Sequence, residues 1–249
     1  MVALLMVLLL FLFPANTTSA TATIIFSTAA TTSATTASAT AATISATTFA
    51  TTVSVTVHCL DVSNCTGEIQ AALDTDGAAE VVVPRHGDSP LQVDPLFVRK
   101  GNRTLRLAPG VELLAISMSP AYQRMDASLL SIMDVSNVTV IATGATLRMR
   151  KLQYLPPHYK KGEWRATLNI RMVSSVSIIG GTFRDAGGDG IFLESLTGPI
   201  VLHGVTTDGA WRNGLSVISA DGLTVSNCSF TNTNGTAPQC GAHRCSDLL

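Results

Sequence analysis

The sequence predicts an all-β protein built as a right-handed parallel β-helix, a solenoid in which short strands stack coil upon coil. Three observations predict this fold. From about Cys65 onward, short apolar runs alternate with Gly, Asn and Asp. A pattern of apolar and turn residues recurs about every 23 residues, and no segment beyond the first short helix keeps a helical period over three turns. The 249 residues, 46% of them hydrophobic, suffice for one domain with a sizeable core.

The chain opens with an apolar run, Met1–Phe13, which ends at Pro14. A run of this length is short for a bilayer span and is typical of the apolar part of a secretory signal. Thr18-Ser19-Ala20 is a tolerable cleavage site, so we expect residues 1–20 to be a signal peptide and the protein to be extracellular. An uncleaved membrane anchor is the alternative, because no basic segment precedes the apolar run.

Residues 21–57 form a low-complexity segment in which 29 of 37 residues are Thr, Ala or Ser. Such a segment has few large apolar groups to offset the entropy lost on ordering, so we expect a disordered stalk. Segments of this composition carry O-glycans in many secreted proteins, and a simple spacer is the alternative.

Sequons and cysteines also indicate the secretory route. Six Asn-X-Ser/Thr sequons are present, at Asn16, Asn64, Asn102, Asn137, Asn227 and Asn234. In an oxidising compartment, Cys59–Cys65 and Cys240–Cys245 are the short-range disulfide candidates, which leaves Cys228 free. The cysteine spacing does not fit a structural zinc site.

We expect the folded domain to span residues 58–249 and to begin with a helix. The segment from Thr66 places Ile69, Ala72 and Leu73 on one helical face. The helix, at Glu68–Leu73, should cap the N-terminal end of the solenoid. The run Val81–Pro84 then starts the series of strands.

One strand of the repeat recurs with offsets of 24 and 23 residues. Its copies are Val176–Phe183, Ile200–Thr207 and Leu223–Phe230. Alternate apolar residues should point inward, and the turn positions Gly180, Gly204 and Asn227 are residue types that readily adopt the left-handed backbone conformation. By the same pattern Gly144, behind Val140 and Ala142, should occupy the equivalent turn position 36 residues before Gly180.

A second strand repeats in step with the first. Asp189-Gly-Ile-Phe-Leu aligns with Asn213-Gly-Leu-Ser-Val, so Ile191/Leu193 and Leu215/Val217 should point inward. Leu168 and Ile170 hold the same places one coil earlier. Because each coil stacks on the last, residues at one position lie about 4.8 Å apart.

Several segments resemble known families once this repeat is recognised. Ile69–Asp74 followed by Val81–Pro84 is similar to the opening of β-helix domains of the pectate-lyase superfamily. A second resemblance is to an extracellular right-handed β-helix repeat family, and it is carried by Glu163–Arg165, Gly187–Ile191, Arg212–Ile218 and Asn234–Pro238. The resemblance covers about Cys65–Gly241 and implies the fold. It leaves the reaction open, because the superfamily includes polysaccharide lyases, glycoside hydrolases, epimerases and non-catalytic members.

The end of the chain departs from that family. There the Gly-Thr-Ala-Pro stretch typically continues into a Gly-Ile-Asp segment, an acidic residue and further coils, whereas this sequence ends at Leu249. We therefore expect a C-terminally truncated solenoid that is weak or inactive. Cys228 and Phe230 would then lie in a last layer with one side open to water.

Outward positions on the second strand form a ladder that suits a linear sugar chain. They are Asn169 and Arg171, then Phe192 and Glu194, then Ser216 and Ile218, with Arg171 and Glu194 as neighbours. Asp189 and Asn213 should stack at the strand entrance. The candidate catalytic residues are Asp185, Asp189, Glu194 and Arg165. Asp185 and Asp189 are alternatively a calcium pair or simple turn residues.

The candidate substrate-binding residues are Asn169, Arg171, Trp164, Trp211, Arg212 and Asn213. Trp164 belongs to an insertion, Met149–Arg165, which also holds Tyr154 and Tyr159 among several basic residues. Such a loop can stack sugar rings and bind uronate carboxylates, or it can be a solvated loop that only covers the coil. Trp211-Arg212 is either a sugar platform or a packed corner.

The leading hypothesis is an extracellular enzyme of the polysaccharide lyase or glycoside hydrolase type acting on a linear glycan. The alternative is a non-catalytic β-helix module that binds or adheres to a cell-wall glycan, or an incomplete inactive member. No cofactor and no metal are expected, and calcium is the alternative considered. The net charge of −1 excludes a strongly basic nucleic-acid binder. A membrane partner is expected only if the N-terminal segment stays uncleaved.

Overall fold

The computed structural model describes residues 53–160, 162–235 and 238–240, and it has the predicted architecture, a right-handed parallel β-helix. In these ranges nineteen strands form three sheets with parallel pairing. In chain order the strands are β1 (Val53–Thr56), β2 (Ala78–Val83), β3 (Leu91–Val93), β4 (Leu96–Val98), β5 (Arg103–Leu107), β6 (Glu112–Ala115), β7 (Leu130–Met133), β8 (Ser136–Ile141), β9 (Thr146–Arg148), β10 (Leu168–Arg171), β11 (Ser174–Ile179), β12 (Thr182–Arg184), β13 (Ile191–Glu194), β14 (Thr197–His203), β15 (Thr206–Asp208), β16 (Leu215–Val217), β17 (Leu223–Ser226), β18 (Ser229–Thr231) and β19 (Pro238–Cys240).

From β2 onward, each coil contributes one strand to each sheet in turn. Sheet 1 has the order β1-β2-β5-β8-β11-β14-β17, sheet 2 has β3-β6-β9-β12-β15-β18, and sheet 3 has β4-β7-β10-β13-β16-β19. Alternate residues of every strand face the interior, where they stack on the equivalent residues of the coils above and below. One such buried row in sheet 1 is Val81, Leu105, Val140, Ile178, Leu202 and Val225.

The predicted helix is present as α1 (Thr66–Asp74), and it buries the predicted face. Ile69, Ala72 and Leu73 are buried, and the helix contacts β2 and β4 at the N-terminal end of the solenoid. The Asn64 side-chain oxygen accepts hydrogen bonds from the backbone N–H and the hydroxyl of Thr66, which fixes the first turn.

The N-terminal boundary of the domain lies earlier than predicted. Residues Val53–Thr56 form β1, which pairs with β2, and Val57 is buried in the core. The expected disorder is therefore wrong for these residues, because β1 pairs with β2 while Val55 packs partly buried against the core and Val57 is enclosed by it. The signal peptide and the rest of the expected stalk, through residue 52, lie outside the described residues.

The predicted registers are confirmed on both repeating strands. Val176 pairs with Ile200, which pairs with Leu223. In sheet 3, Leu168 pairs with Ile191, which pairs with Leu215. The sheet 1 turns also behave as predicted, since Gly180, Gly204 and Asn227 have φ values of 68°, 64° and 53°.

The alignment of Gly144 with Gly180 is wrong. Val176 pairs with Val138, and Ile178 pairs with Val140, so the equivalent residues are 38 and not 36 positions apart. A shift of two residues keeps the same side chains inward, so alternation alone does not distinguish the two registers.

The predicted insertion leaves the coil between sheets 2 and 3. It connects β9 to β10 and contains a short 3-10 turn, Lys151–Gln153. A second long connection, from β6 to β7, precedes it in the neighbouring coil and contains the 3-10 turn Pro120–Tyr122. Tyr154 joins the two, with ring centroids 5.7 Å from Tyr122 and 5.4 Å from Tyr159.

Of the predicted disulfides, Cys59–Cys65 is formed, with Cα atoms 5.4 Å apart. Among the described residues Cys228 has no disulfide partner, and by the register of β15 and β18 it aligns with Val205. Cys228 and Phe230 are partly buried against the core in the last described coil. The Cys240–Cys245 pairing lies outside the described side chains. Among the described residues, none of the helices has the length and apolar character needed to cross a membrane.

Candidate functional site

Some of the predicted site residues lie at the corner between sheet 2 and sheet 3. After β12, residues 185–190 turn the chain into β13 over a stretch that contains three glycines. A Cβ on Gly188 would lie 2.1 Å from the Glu163 carbonyl oxygen, and one on Gly187 would lie 2.6 Å from the Tyr154 ring. The glycines therefore allow the insertion to lie directly against this corner, which brings Glu163 and Trp164 to it.

A three-residue charge array occupies the corner. The Arg212 guanidinium donates from Nε and Nη2 to the two oxygens of Asp189, at 2.7 and 2.6 Å. Its Nη1 donates to Glu163 Oε2 at 2.7 Å. The exposed fraction of the side chain increases from the core to the surface, from 0% for Asp189 to 29% for Arg212 and 62% for Glu163. Hydrogen bonding to Asp189 raises the pKa of Arg212 above its ordinary value.

Buried Asp189 holds the Arg212 guanidinium from the core side of the corner. The predicted stacking of Asp189 and Asn213 is confirmed, since the Asn213 backbone N–H donates to Asp189 Oδ1 at 3.1 Å. The Asn213 side chain, which is 2% exposed, donates to the Ser216 hydroxyl. Neither side chain offers surface to a substrate in this structure. The predicted catalytic role of Asp189 and the predicted substrate contact of Asn213 therefore do not fit their burial, because Arg212 and the coil wall cover both.

Arg165 is likewise buried, with no accessible surface. Its guanidinium donates to the backbone carbonyls of Tyr122, Arg124 and Lys160, at 3.1, 3.0 and 3.2 Å. It also lies over the Tyr154 ring at 5.2 Å. Burial lowers the pKa of Arg165, yet the carbonyl dipoles and ring faces still favour its charge. Arg165 thus ties the two long connections together, and the catalytic role predicted for it does not fit this placement.

The aromatic residues of the insertion divide into buried and exposed members. Tyr154 and Tyr159 are buried around Arg165, so they do not form the sugar platform considered from sequence. Trp164 is 51% exposed beside Glu163, as a platform requires. Trp211, next to Arg212, is half-buried.

A second charge pair lies at the C-terminal ends of β10 and β13 in sheet 3. Arg171 and Glu194 are register partners and form an ion pair, as predicted from the ladder. The Arg171 guanidinium also lies 5.9 Å from the centre of the Phe192 ring. Asn169 is in the same outward rows but is only 6% exposed.

Asp185 lies away from both charge pairs. It follows β12 at the end of sheet 2, has a left-handed φ of 52°, and accepts a hydrogen bond from the Lys151 backbone through its carbonyl. Asp185 therefore lies just after a strand of sheet 2, and Asp189 lies in the buried corner. Glu194 lies at the C-terminal end of a strand of sheet 3. The three candidate catalytic carboxylates are therefore not brought together in this structure.

Metal binding at the corner does not fit the donors either. Both Asp189 oxygens are bound by Arg212, so they are not available for the calcium pair considered with Asp185. Within the described ranges, the side chains of His, Cys, Asp and Glu do not gather in groups of three or more that could hold a metal ion.

Glu163 is the residue that sequence analysis missed. It was not among the candidate site residues, although it is the sole acidic residue of the basic insertion Met149–Arg165. That isolation next to a tryptophan was the available signal.

Comparison with known proteins supports the architecture. No protein-family model matches the sequence, and no curated protein does so either. Among solved structures, it is similar to the crystal structure of a protein described as a "putative glycosyl hydrolase" from Parabacteroides merdae ATCC 43184. The TM-score is 0.56 and the identity 15%, over 75% of this chain and 97% of that chain. At that identity the similarity shows a shared fold, and the resemblance to the pectate-lyase superfamily stays a prediction.

Proposed function

We propose that this protein is a secreted, polysaccharide-active β-helix protein that binds a linear glycan at the Glu163–Trp164–Arg212 corner. The observation that carries the proposal is the graded charge array beside an exposed indole. A sugar ring presents an apolar face and a rim of hydroxyls, and this corner offers a partner for each.

The corner is fixed before any ligand arrives. Arg212 is held at two points by buried Asp189, and Arg165 holds the connections on which Glu163 and Trp164 stand. A site whose side chains are already ordered loses less conformational entropy on binding. This supports recognition of a weakly binding polymer, in which each sugar unit contributes little.

The stacked coils favour a linear ligand over a globular one. Successive coils repeat at about 4.8 Å, so outward side chains form continuous rows. The corner lies at the N-terminal ends of the sheet 3 strands, and the Arg171–Glu194 pair lies at their C-terminal ends. A linear chain lying across sheet 3 would meet both.

Glycoside hydrolysis is the second candidate, and one observation favours it. Two carboxylates, Glu163 and Asp189, meet on the single guanidinium of Arg212. Hydrolysis generally needs two carboxyl groups about 5–9.5 Å apart on either side of the scissile bond. In this structure only Glu163 is accessible, so Glu163 is the residue we expect to act as acid or base if the protein is an enzyme.

The proposed secreted location has two structural supports. Cys59 and Cys65 are joined in a disulfide, as oxidising compartments permit. The sequon asparagines within the described residues are all exposed: Asn64, Asn102, Asn137, Asn227 and Asn234.

The test is a panel of neutral and acidic linear glycans with two readouts. Calorimetry measures binding, and assays of new reducing ends and unsaturated products measure cleavage by hydrolysis and by elimination. Trp164→Ala should weaken binding about tenfold or more, because the stacking surface is lost. Leu60→Ala, which also removes an exposed apolar side chain, is the matched control and should bind like the wild type.

Three outcomes separate the candidates. Binding without products supports the non-catalytic module. Reducing ends that disappear in Glu163→Gln support hydrolysis. If the panel gives no binding, or if Trp164→Ala binds as tightly as the wild type, the proposal is wrong.

A further inference from the structure

A hollow of about 480 Å³ lies at the C-terminal ends of the sheet 2 strands, and its lining includes none of the residues of the Glu163–Trp164–Arg212 corner (the glycan corner). Its walls carry three cationic side chains and one carboxylate, from Arg148, Arg150, Lys151 and Asp185. Leu114 and Leu152 supply apolar surface, and Leu152 is 76% exposed at the rim. Three of the four charged side chains that line the hollow are therefore cationic, although the whole chain has a net charge of −1.

The cations differ in how far acidic neighbours compensate their charge. Arg148 forms an ion pair with Glu112, at 2.6 Å. The Arg150 side chain donates to neutral acceptors, the Ala115 carbonyl at 2.7 Å and Gln92 Oε1 at 3.3 Å. These bonds fix the Arg150 guanidinium without neutralising it.

Lys151 shares its side of the hollow with Asp185. A Cβ built on Gly209 would lie 3.0 Å from Asp185 Oδ1 and 3.6 Å from Lys151 Nζ, so both side chains converge over this glycine. Asp185 offsets one cationic charge and Glu112 offsets another. One positive charge remains uncompensated among these groups, beside an apolar wall.

We propose that this hollow is a binding site for an anionic group, a carboxylate or a sulfate, held by Arg150 and Lys151. A fixed guanidinium and an ammonium together match the oxygens of such a group, and the leucines can contact the carbon skeleton that bears it. The group can come from an acidic sugar within a glycan or from a small free anion. The inference does not depend on the glycan corner, because its residues are different.

The test uses full-length protein and calorimetric titration with four probes: inorganic sulfate, a free uronic acid, a uronate oligosaccharide and a neutral oligosaccharide of equal length. The wild type should bind at least one anionic probe through this hollow, and any binding of the neutral oligosaccharide, which the glycan corner can accept, should not change in Lys151→Gln. Binding should weaken as salt rises, because added ions screen the contact. Sulfate or free-acid binding identifies a small anion as sufficient, and binding of the oligosaccharide alone identifies an acidic glycan.

Lys151→Gln should weaken anion binding about three- to tenfold, and Arg150→Gln should weaken it further. Lys160→Gln removes the same charge from an exposed position of the same insertion and should leave affinity unchanged. Lys151→Gln keeps the test decisive if Arg150→Gln fails to fold. The proposal is overturned if the wild type binds none of the anions at millimolar concentration. It is also overturned if Lys151→Gln binds them as the wild type does.

Discussion

Arg212 and Asp189, which lie one coil apart, form a two-point ion pair in which the carboxylate is fully buried and the guanidinium reaches the surface. The pair connects the core to the candidate site. Buried Asp189 fixes the guanidinium plane, and the remaining nitrogen of that guanidinium holds exposed Glu163. The position of the outermost carboxylate therefore depends on the innermost one.

Removal of Arg212 should destabilise the protein strongly. Arg212→Ala leaves Asp189 buried without its cation, and such uncompensated charges cost about 3–5 kcal/mol. The measurement is the free energy of unfolding in urea. Arg184→Ala is the matched control, because Arg184 pairs with Asp208 while 45% exposed, and it should cost at most about 1 kcal/mol. Equal losses in the two variants would contradict the structural role of Asp189.

Gly188 should tolerate no side chain. Gly188→Ala places a Cβ 2.1 Å from the Glu163 carbonyl oxygen, where backbone must move, so we expect a loss of about 1–3 kcal/mol and weaker glycan binding. Gly67→Ala, in helix α1, has open space around its Cβ and should stabilise the protein by about 0.5–1 kcal/mol. Thermal unfolding of both variants tests this contrast, and a stable Gly188→Ala variant would show that the corner is not tightly packed.

The three tyrosines should not ionise at their usual pH. Burial raises the pKa of Tyr122, Tyr154 and Tyr159, which are the only tyrosines in the sequence. Their neutral forms stabilise the fold below the unfolded pKa of about 10, and this contribution is lost as the pH rises toward the folded values. Ultraviolet titration should show little phenolate until the protein unfolds, whereas the chain in denaturant should titrate near pH 10. A normal titration of the folded protein would rule out the buried cluster.

Acid should remove a contribution from Asp208. Hydrogen bonding from Asn232, followed by the charge of Arg184, lowers the pKa of this carboxyl. Its stabilisation is therefore present above the unfolded pKa of about 4 and is lost as the pH falls through the lower folded pKa. Asp208→Asn should be less stable than the wild type at pH 7, and the difference should close below about pH 4. Urea unfolding at a series of pH values measures this, with Asp88→Asn, whose side chain is 96% exposed, as the control. A difference that persists unchanged in acid would contradict the electrostatic explanation.

Local alternation predicted most of the solenoid. Ile191 and Leu215 could be placed on the same inward row, because side chains alternate with a period of two and the coil repeats at nearly constant length. The Arg171–Glu194 contact followed from the same arithmetic, since both residues hold one position on consecutive coils. Gly144 was misplaced because the insertion interrupts the repeat, and beyond it a shift of two residues preserves the apolar pattern.

The coil, its inward rows and its left-handed turns could be predicted from the sequence alone, because they depend on residues close in the repeat. Which polar residues face solvent depends instead on how distant segments pack together. Glu163 meets Arg212 across 49 residues, and Arg165 and Asp189 are buried because separate loops and coils pack over them. The path of a loop outside the repeat is set by what it packs against, and no local period encodes that. The site is therefore fixed by glycines, tyrosines and carbonyl groups that bring distant segments together.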